Sequence, residues 1–100
     1  MPNRTPPLHR VFHALADPTR LAVVRRLARR PGSTAELAAP FDMALPSFLQ
    51  HLDVLEECGL VRSKKVGRIR TWTLIPKRLV VAEQWLVKQR AMWGRPAGSR

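Results

Sequence analysis

Prolines and glycines constrain this chain more than any other feature, because Pro18, Pro31-Gly32, Pro40, Pro46, Gly59 and Gly67 leave only short uninterrupted segments between them. Proline inside a helix removes a hydrogen bond and clashes with the preceding turn, and it drives the residue before it out of the helical region. Each segment is therefore one short element. Leu8, Val11, Phe12, Leu15 and Ala16 recur at helical spacing and predict a first helix that stops before Asp17-Pro18. Asp17 can then cap free backbone N–H groups with Pro18 at the first helical position of a second helix, which is expected to run to about Arg30 on the face of Leu21, Val24, Leu27 and Ala28. Ser33 and Glu36 have capping-box spacing for a brief third helix through about Ala39, and Pro40 breaks it. A fourth helix begins around Leu45-Pro46, buries Phe48, Leu52 and Leu55 with Leu49 alongside, and is capped at its C-terminus by Gly59.

After the fourth helix the period changes. Leu60-Val61 and Ile69 to Leu74 are β-prone runs joined across Gly67, which predicts a hairpin whose tip carries a basic cluster. Arg70, Trp72 and Leu74 share one face, so the two apolar members are expected to cover the helices while Arg70 snorkels to water. From Leu79 to Trp93 the pattern is helical again, with apolar residues spread around more than one stripe. The expected fold is mainly α with a small β-hairpin, five helices plus a wing. One domain over residues 8–93 follows, while residues 1–7, with three prolines, and 94–100, with two glycines and a proline, read as flexible arms.

Charge narrows the partner. Against 7 acidic residues the chain has 18 Lys and Arg, a net charge of +11, which makes a polyanion the expected ligand. The excess is local: residues 62–78 hold Arg62, Lys64, Lys65, Arg68, Arg70, Lys77 and Arg78 with no acid among them. Ser47, Gln50 and His51 lie near the N-terminal end of the fourth helix, where a recognition helix presents side chains to base edges. No apolar run approaches the roughly 20 residues of a membrane span, and residues 1–7 lack the apolar core of a secretory signal, so a cytoplasmic protein without membrane contact is expected. A single cysteine, Cys58, can form neither an intrachain disulfide nor a thiolate metal cluster. One small domain cannot easily bury the whole apolar surface of the last helix, and a homodimer packed through this helix and the first is the economical explanation.

Taken in order, Leu15-Ala16-Asp17-Pro18-Thr19-Arg20, Pro46-Ser47-Phe48-Leu49-Gln50-His51-Leu52, Leu55-Glu56-Glu57-Cys58-Gly59-Leu60-Val61 and the basic hairpin resemble the ArsR family of bacterial repressors over residues 8–93. The resemblance implies a winged helix-turn-helix made by the third and fourth helices, a homodimer through the first and fifth, and repression of an operon at an inverted-repeat site in double-stranded DNA. On that reading Pro46, Ser47, Leu49, Gln50 and His51 face the duplex from the recognition helix, with Ser47 and Gln50 as base readers. Lys64, Lys65, Arg68 and Arg70 hold phosphates or enter the minor groove from the wing. The dimer surface comprises Leu8, Phe12, Leu79, Ala82, Trp85, Leu86, Met92 and Trp93. Two positions depart from the family's pattern. Ala44 stands where members commonly carry a capping hydroxyl, a loss of about 1 kcal/mol unless Ser47 or Asp42 compensates. Leu49 stands where many carry serine.

Other chemistries find less support. The metal-sensing members need ligands that Glu36 to Pro40 and the last helix do not supply, and His9 with His13, spaced i and i+4, is the one hint of a zinc-responsive alternative. No metal or other cofactor is expected. Cys58 next to Glu56 and Glu57 reads as structural rather than redox-active. Three histidines, one cysteine and scattered acids form no nucleophile-base pair, so an enzyme is not expected. A winged-helix module that docks a protein is the rival from another class, and RNA binding lacks the exposed aromatic platform it would need. The residues name no inducer site.

Overall fold

A computed structural model describes residues 7–93. Of the expected arms only Pro7 falls within that range; the remainder of both lies outside the described residues. Helix α1 (Leu8–Leu15) ends at the Asp17-Pro18 break as the breakers require. In α2 (Pro18–Leu27) the Asp17 carboxylate accepts from the Arg20 backbone N–H, so the cap read from sequence is formed. That helix stops at Leu27 rather than Arg30, because Pro31 pulls the chain out of helical geometry and Arg26 closes the end, its guanidinium donating to the carbonyls of Arg30 and Pro31.

Residues Gly32–Ser33 then form a short strand, β1, which sequence reading did not foresee. The capping box of Ser33 and Glu36 opens α3 (Thr34–Ala38) with both of its hydrogen bonds present, and the Ser33 backbone N–H holds the Glu36 carboxyl below the usual range. Next comes α4 (Leu45–Glu57), which buries Phe48, Leu52 and Leu55 as expected. Gly59 terminates it in a left-handed conformation at φ 74°, with its N–H bonded to Glu56 O and that of Leu60 bonded to Leu55 O. This double bond pattern satisfies two carbonyls that a helix end would otherwise leave orphaned.

Strands β2 (Val61–Val66) and β3 (Ile69–Leu74) form the hairpin, and β1 pairs on the other edge of β3, giving an antiparallel sheet in the order β1-β3-β2. Gly67 at φ 61° sits first in the two-residue turn, the position that the type II′ hairpin turn reserves for glycine. The final helix is α5 (Pro76–Trp93). The core gathers Val11 and Ala14 of α1, Val23, Val24 and Leu27 of α2, Leu37 of α3, the α4 stripe, Leu60, Val61, Trp72 and Ala82. Trp72 is fully buried, and its indole N–H donates to Thr34 Oγ at 2.8 Å, which pins the start of α3 to the sheet. No described helix is long and apolar enough to cross a membrane.

Candidate nucleic-acid interface

The turn and helix that follow α3 present their polar side outward: Pro46, Ser47 and Gln50 are all exposed, on the side of α4 away from Phe48 and Leu52. No side chain caps α4, so neither Ser47 nor Asp42 replaces the hydroxyl missing at Ala44. The first-turn N–H groups therefore remain available to an anion. Leu49, expected to face the duplex, is half-buried beside the core stripe, since a residue three positions before Leu52 lies next to it on the helix.

His51 is engaged on one side. Its Nδ1 lies 3.1 Å from Arg20 Nη1 and 3.7 Å from Asp17 Oδ2. Arg20 in turn donates from Nε to Ala14 O at 2.7 Å and from Nη2 to His13 O at 3.3 Å, so one guanidinium ties the end of α1 to the recognition helix. Sequence reading missed this link. Arg20 was visible only as the close of the Asp-Pro-Thr-Arg run, and its partner is 31 residues away. The same cluster lowers the Asp17 pKa, first through the Arg20 backbone N–H and then, against the opposing effect of burial, through the charges of His51 and Arg20.

The wing carries its charge along β2 as well as at the tip. Lys64 and Lys65 are strand residues and Arg68 occupies the turn, while Arg70 is on β3; all are exposed. Lys65 stands directly across from Arg70 in the ladder, a like-charge pair that costs stability unless an anion lies over it. Arg70 also rests over the Trp72 ring at 5.8 Å, which lays the long side chain along β3 as the period-two pattern predicts. Among the described residues the only carboxylate within ion-pair distance of a basic group is Asp17 beside His51, so no wing cation is neutralised. Exposed Val66 and Ile69 flank the turn, a pair that the charge pattern did not single out. At the base, Glu56 Oε2 accepts from both the N–H and the hydroxyl of Ser63, which fastens the wing to α4.

The other expected surface follows α1 and α5. Trp85, Leu86, Met92 and Trp93 are exposed, joined by Val80, Val81 and Val87. Leu8, Phe12 and Leu79 are half-buried against the core, with Phe12 edge-on to Trp85 at 5.8 Å. Ala82, placed on this surface from sequence, is instead 5% exposed and belongs to the chain's own core, a small side chain buried as α5 packs on the rest of the domain. His9 and His13 are both exposed, and among the described residues no three His, Cys, Asp or Glu side chains converge as a metal would need. Cys58 is buried, its thiol within 3.4 Å of Arg10 O, and burial pushes its pKa up.

Comparison with known proteins agrees with this geometry. Residues 15–64 match the family described as a helix-turn-helix domain. The chain is 41% identical over 70 residues to the HTH-type transcriptional regulator Rv2034 of Mycobacterium tuberculosis, covering 70% of this chain and 65% of the relative. It is 36% identical over 59 residues to the probable mercury resistance operon repressor of Streptomyces lividans, covering 59% of this chain and 47% of that relative. The matched part thus spans less than two thirds of either relative's length. A crystal structure of an ArsR family transcriptional regulator superimposes with a TM-score of 0.84 at 47% identity, covering 90% of this chain and 93% of that one.

Proposed function

Because the chain belongs to the ArsR family of winged helix-turn-helix transcriptional regulators, we propose that it acts as a homodimeric repressor on an inverted-repeat operator in double-stranded DNA. The observation that carries this reading is the pairing of an outward polar face on α4 with a row of unneutralised cations on the wing beside it. Ser47 and Gln50 read base edges in a major groove; glutamine can bond an adenine through both of its amide atoms. Lys64, Lys65, Arg68 and Arg70 take phosphates of the flanking backbone and supply affinity more than sequence choice. The like-charge pair Lys65 and Arg70 becomes favourable once a phosphate lies between them. The exposed apolar side of α5 is covered by a second copy, which sets two recognition helices about one helical turn of DNA apart, roughly 34 Å.

The test is a titration of the protein onto a duplex from its own gene's upstream region and onto a shuffled duplex, at several salt concentrations. A preference of about a thousandfold with a steep salt slope supports the repressor. Equal binding that vanishes with modest salt would leave only a basic surface, and a role in docking a protein would replace this one.

A further inference from the structure

We propose that Arg20 fixes the tautomer of His51 so that the recognition helix presents an Nε2–H donor to a hydrogen-bond acceptor on the operator. For its partner the proposal rests on the DNA-binding reading above; for its chemistry it rests on the free protein alone. A guanidinium has donors and no acceptor, so at the 3.1 Å contact with Arg20 Nη1 the lone pair must sit on His51 Nδ1 and the proton on Nε2. The competing acceptor, Asp17 Oδ2, is 3.7 Å from the same nitrogen, beyond hydrogen-bond length, and already accepts from the Arg20 backbone N–H at 3.0 Å.

Arg20 cannot readily swing aside. Its Nε and Nη2 hold the carbonyls of Ala14 and His13 at the C-terminal end of α1, where a helix favours a cation. The ring is thus oriented from behind, as the outer hydrogen bond of a metal-bound histidine orients that ring, although here the outward nitrogen carries a proton. Among the described residues no buried side-chain nitrogen or oxygen is left without a partner, and none bonds His51 Nε2, so that nitrogen keeps some contact with solvent in a side chain that is 22% exposed. His51 stands one helical turn after Ser47 and next to Gln50, on the flank of the polar face. A donor there suits a phosphate oxygen or a base-edge acceptor such as guanine O6 or N7, and it is mismatched to the amino groups of adenine and cytosine.

Two experiments test this. Long-range nitrogen-proton NMR on the free protein, with imidazole neutral, should show His51 as the Nε2–H tautomer, and Arg20→Met should release it to a mixture. A wild-type ring in the Nδ1–H form, or a mixture unchanged by Arg20→Met, overturns the proposal whatever the protein does with DNA. In the binding arm, His51→Gln places an amide N–H near the Nε2 position, whereas His51→Asn offers Arg20 an acceptor near the Nδ1 position and no outward donor. With circular dichroism confirming that both fold, His51→Gln should stay within about threefold of wild type and His51→Asn should lose about tenfold or more, the scale of one direct contact. Equal loss on native and shuffled duplexes identifies a phosphate, and a loss traced to one base pair of the native duplex identifies a base edge. Unchanged affinity in His51→Asn removes the donor role. If wild type shows no preference for the native duplex, the repressor reading fails and takes the partner of Nε2–H with it, while the tautomer result stands or falls separately.

Discussion

Asp17 shows how one carboxylate can serve both folding and the site. It caps α2 and faces the Arg20 and His51 pair, and the Arg20 backbone N–H holds its pKa below the ordinary 3.8. A lowered folded value means that the ionised form is the stabilising one, so this contribution is complete above the unfolded pKa and disappears as pH falls through the folded one. Asp17→Ala should therefore cost about 1 kcal/mol in urea unfolding near neutrality, and the gap to wild type should close on acidification below pH ~3.8. A gap constant with pH would mean that the charge contributes nothing. Cys58 makes a converse case: with its thiol pushed up by burial, it should alkylate far more slowly in the native protein than in urea, and equal rates would contradict its place in the core. The caps of Asp17, Ser33 and Gly59 were legible in sequence because capping is local, with donor and acceptor no more than five residues from one another. The bond between Arg20 and His51 was not legible, since nothing in either neighbourhood encodes a contact across 31 positions.

Elements were read well where a period or a breaker marked them, and less well where they are short. Gly32–Ser33 has too few residues to show a period, and only its pairing with Thr71 and Trp72 makes it a strand. The same local reading put the basic cluster at the wing tip, because Arg62 to Val66 lacks clean apolar alternation; the ladder with β3 carries it as strand. Gly59 joins α4 to the wing at φ 74° with Arg78 Nε only 3.3 Å from where a Cβ would sit, so Gly59→Ala should destabilise by about 1–2 kcal/mol on thermal or urea unfolding. Loss of less than a few tenths would show that the helix end relaxes. On the wing, Lys65→Ala and Arg70→Ala should each reduce the slope of log affinity against log salt by about one, and should weaken native and shuffled duplexes alike. A loss confined to the native duplex would move these residues from phosphate contact to base reading.

For the whole molecule, the least settled surface is α5, whose pattern pointed to a partner without saying which residues belong to the chain's own core. Ala82 turned inward with Leu79 beside it, while Trp85, Leu86 and Val87 stayed exposed. Small residues can serve either side of a helix, so composition could not separate the two roles. Leu86 is 47% exposed, and Leu86→Glu should therefore leave the single-chain fold intact while abolishing dimers in sedimentation equilibrium and weakening operator binding at least tenfold. A variant that still sediments as a dimer would place the interface elsewhere. The hold of Glu56 on Ser63, with only Cys58-Gly59-Leu60 between α4 and β2, has a consequence for how such regulators diverge. Reading head and clamp are cast as one piece, so residues 45–74 are the smallest cassette that could carry a binding preference from one scaffold to another, and a graft of the helix alone would arrive with its aim uncalibrated.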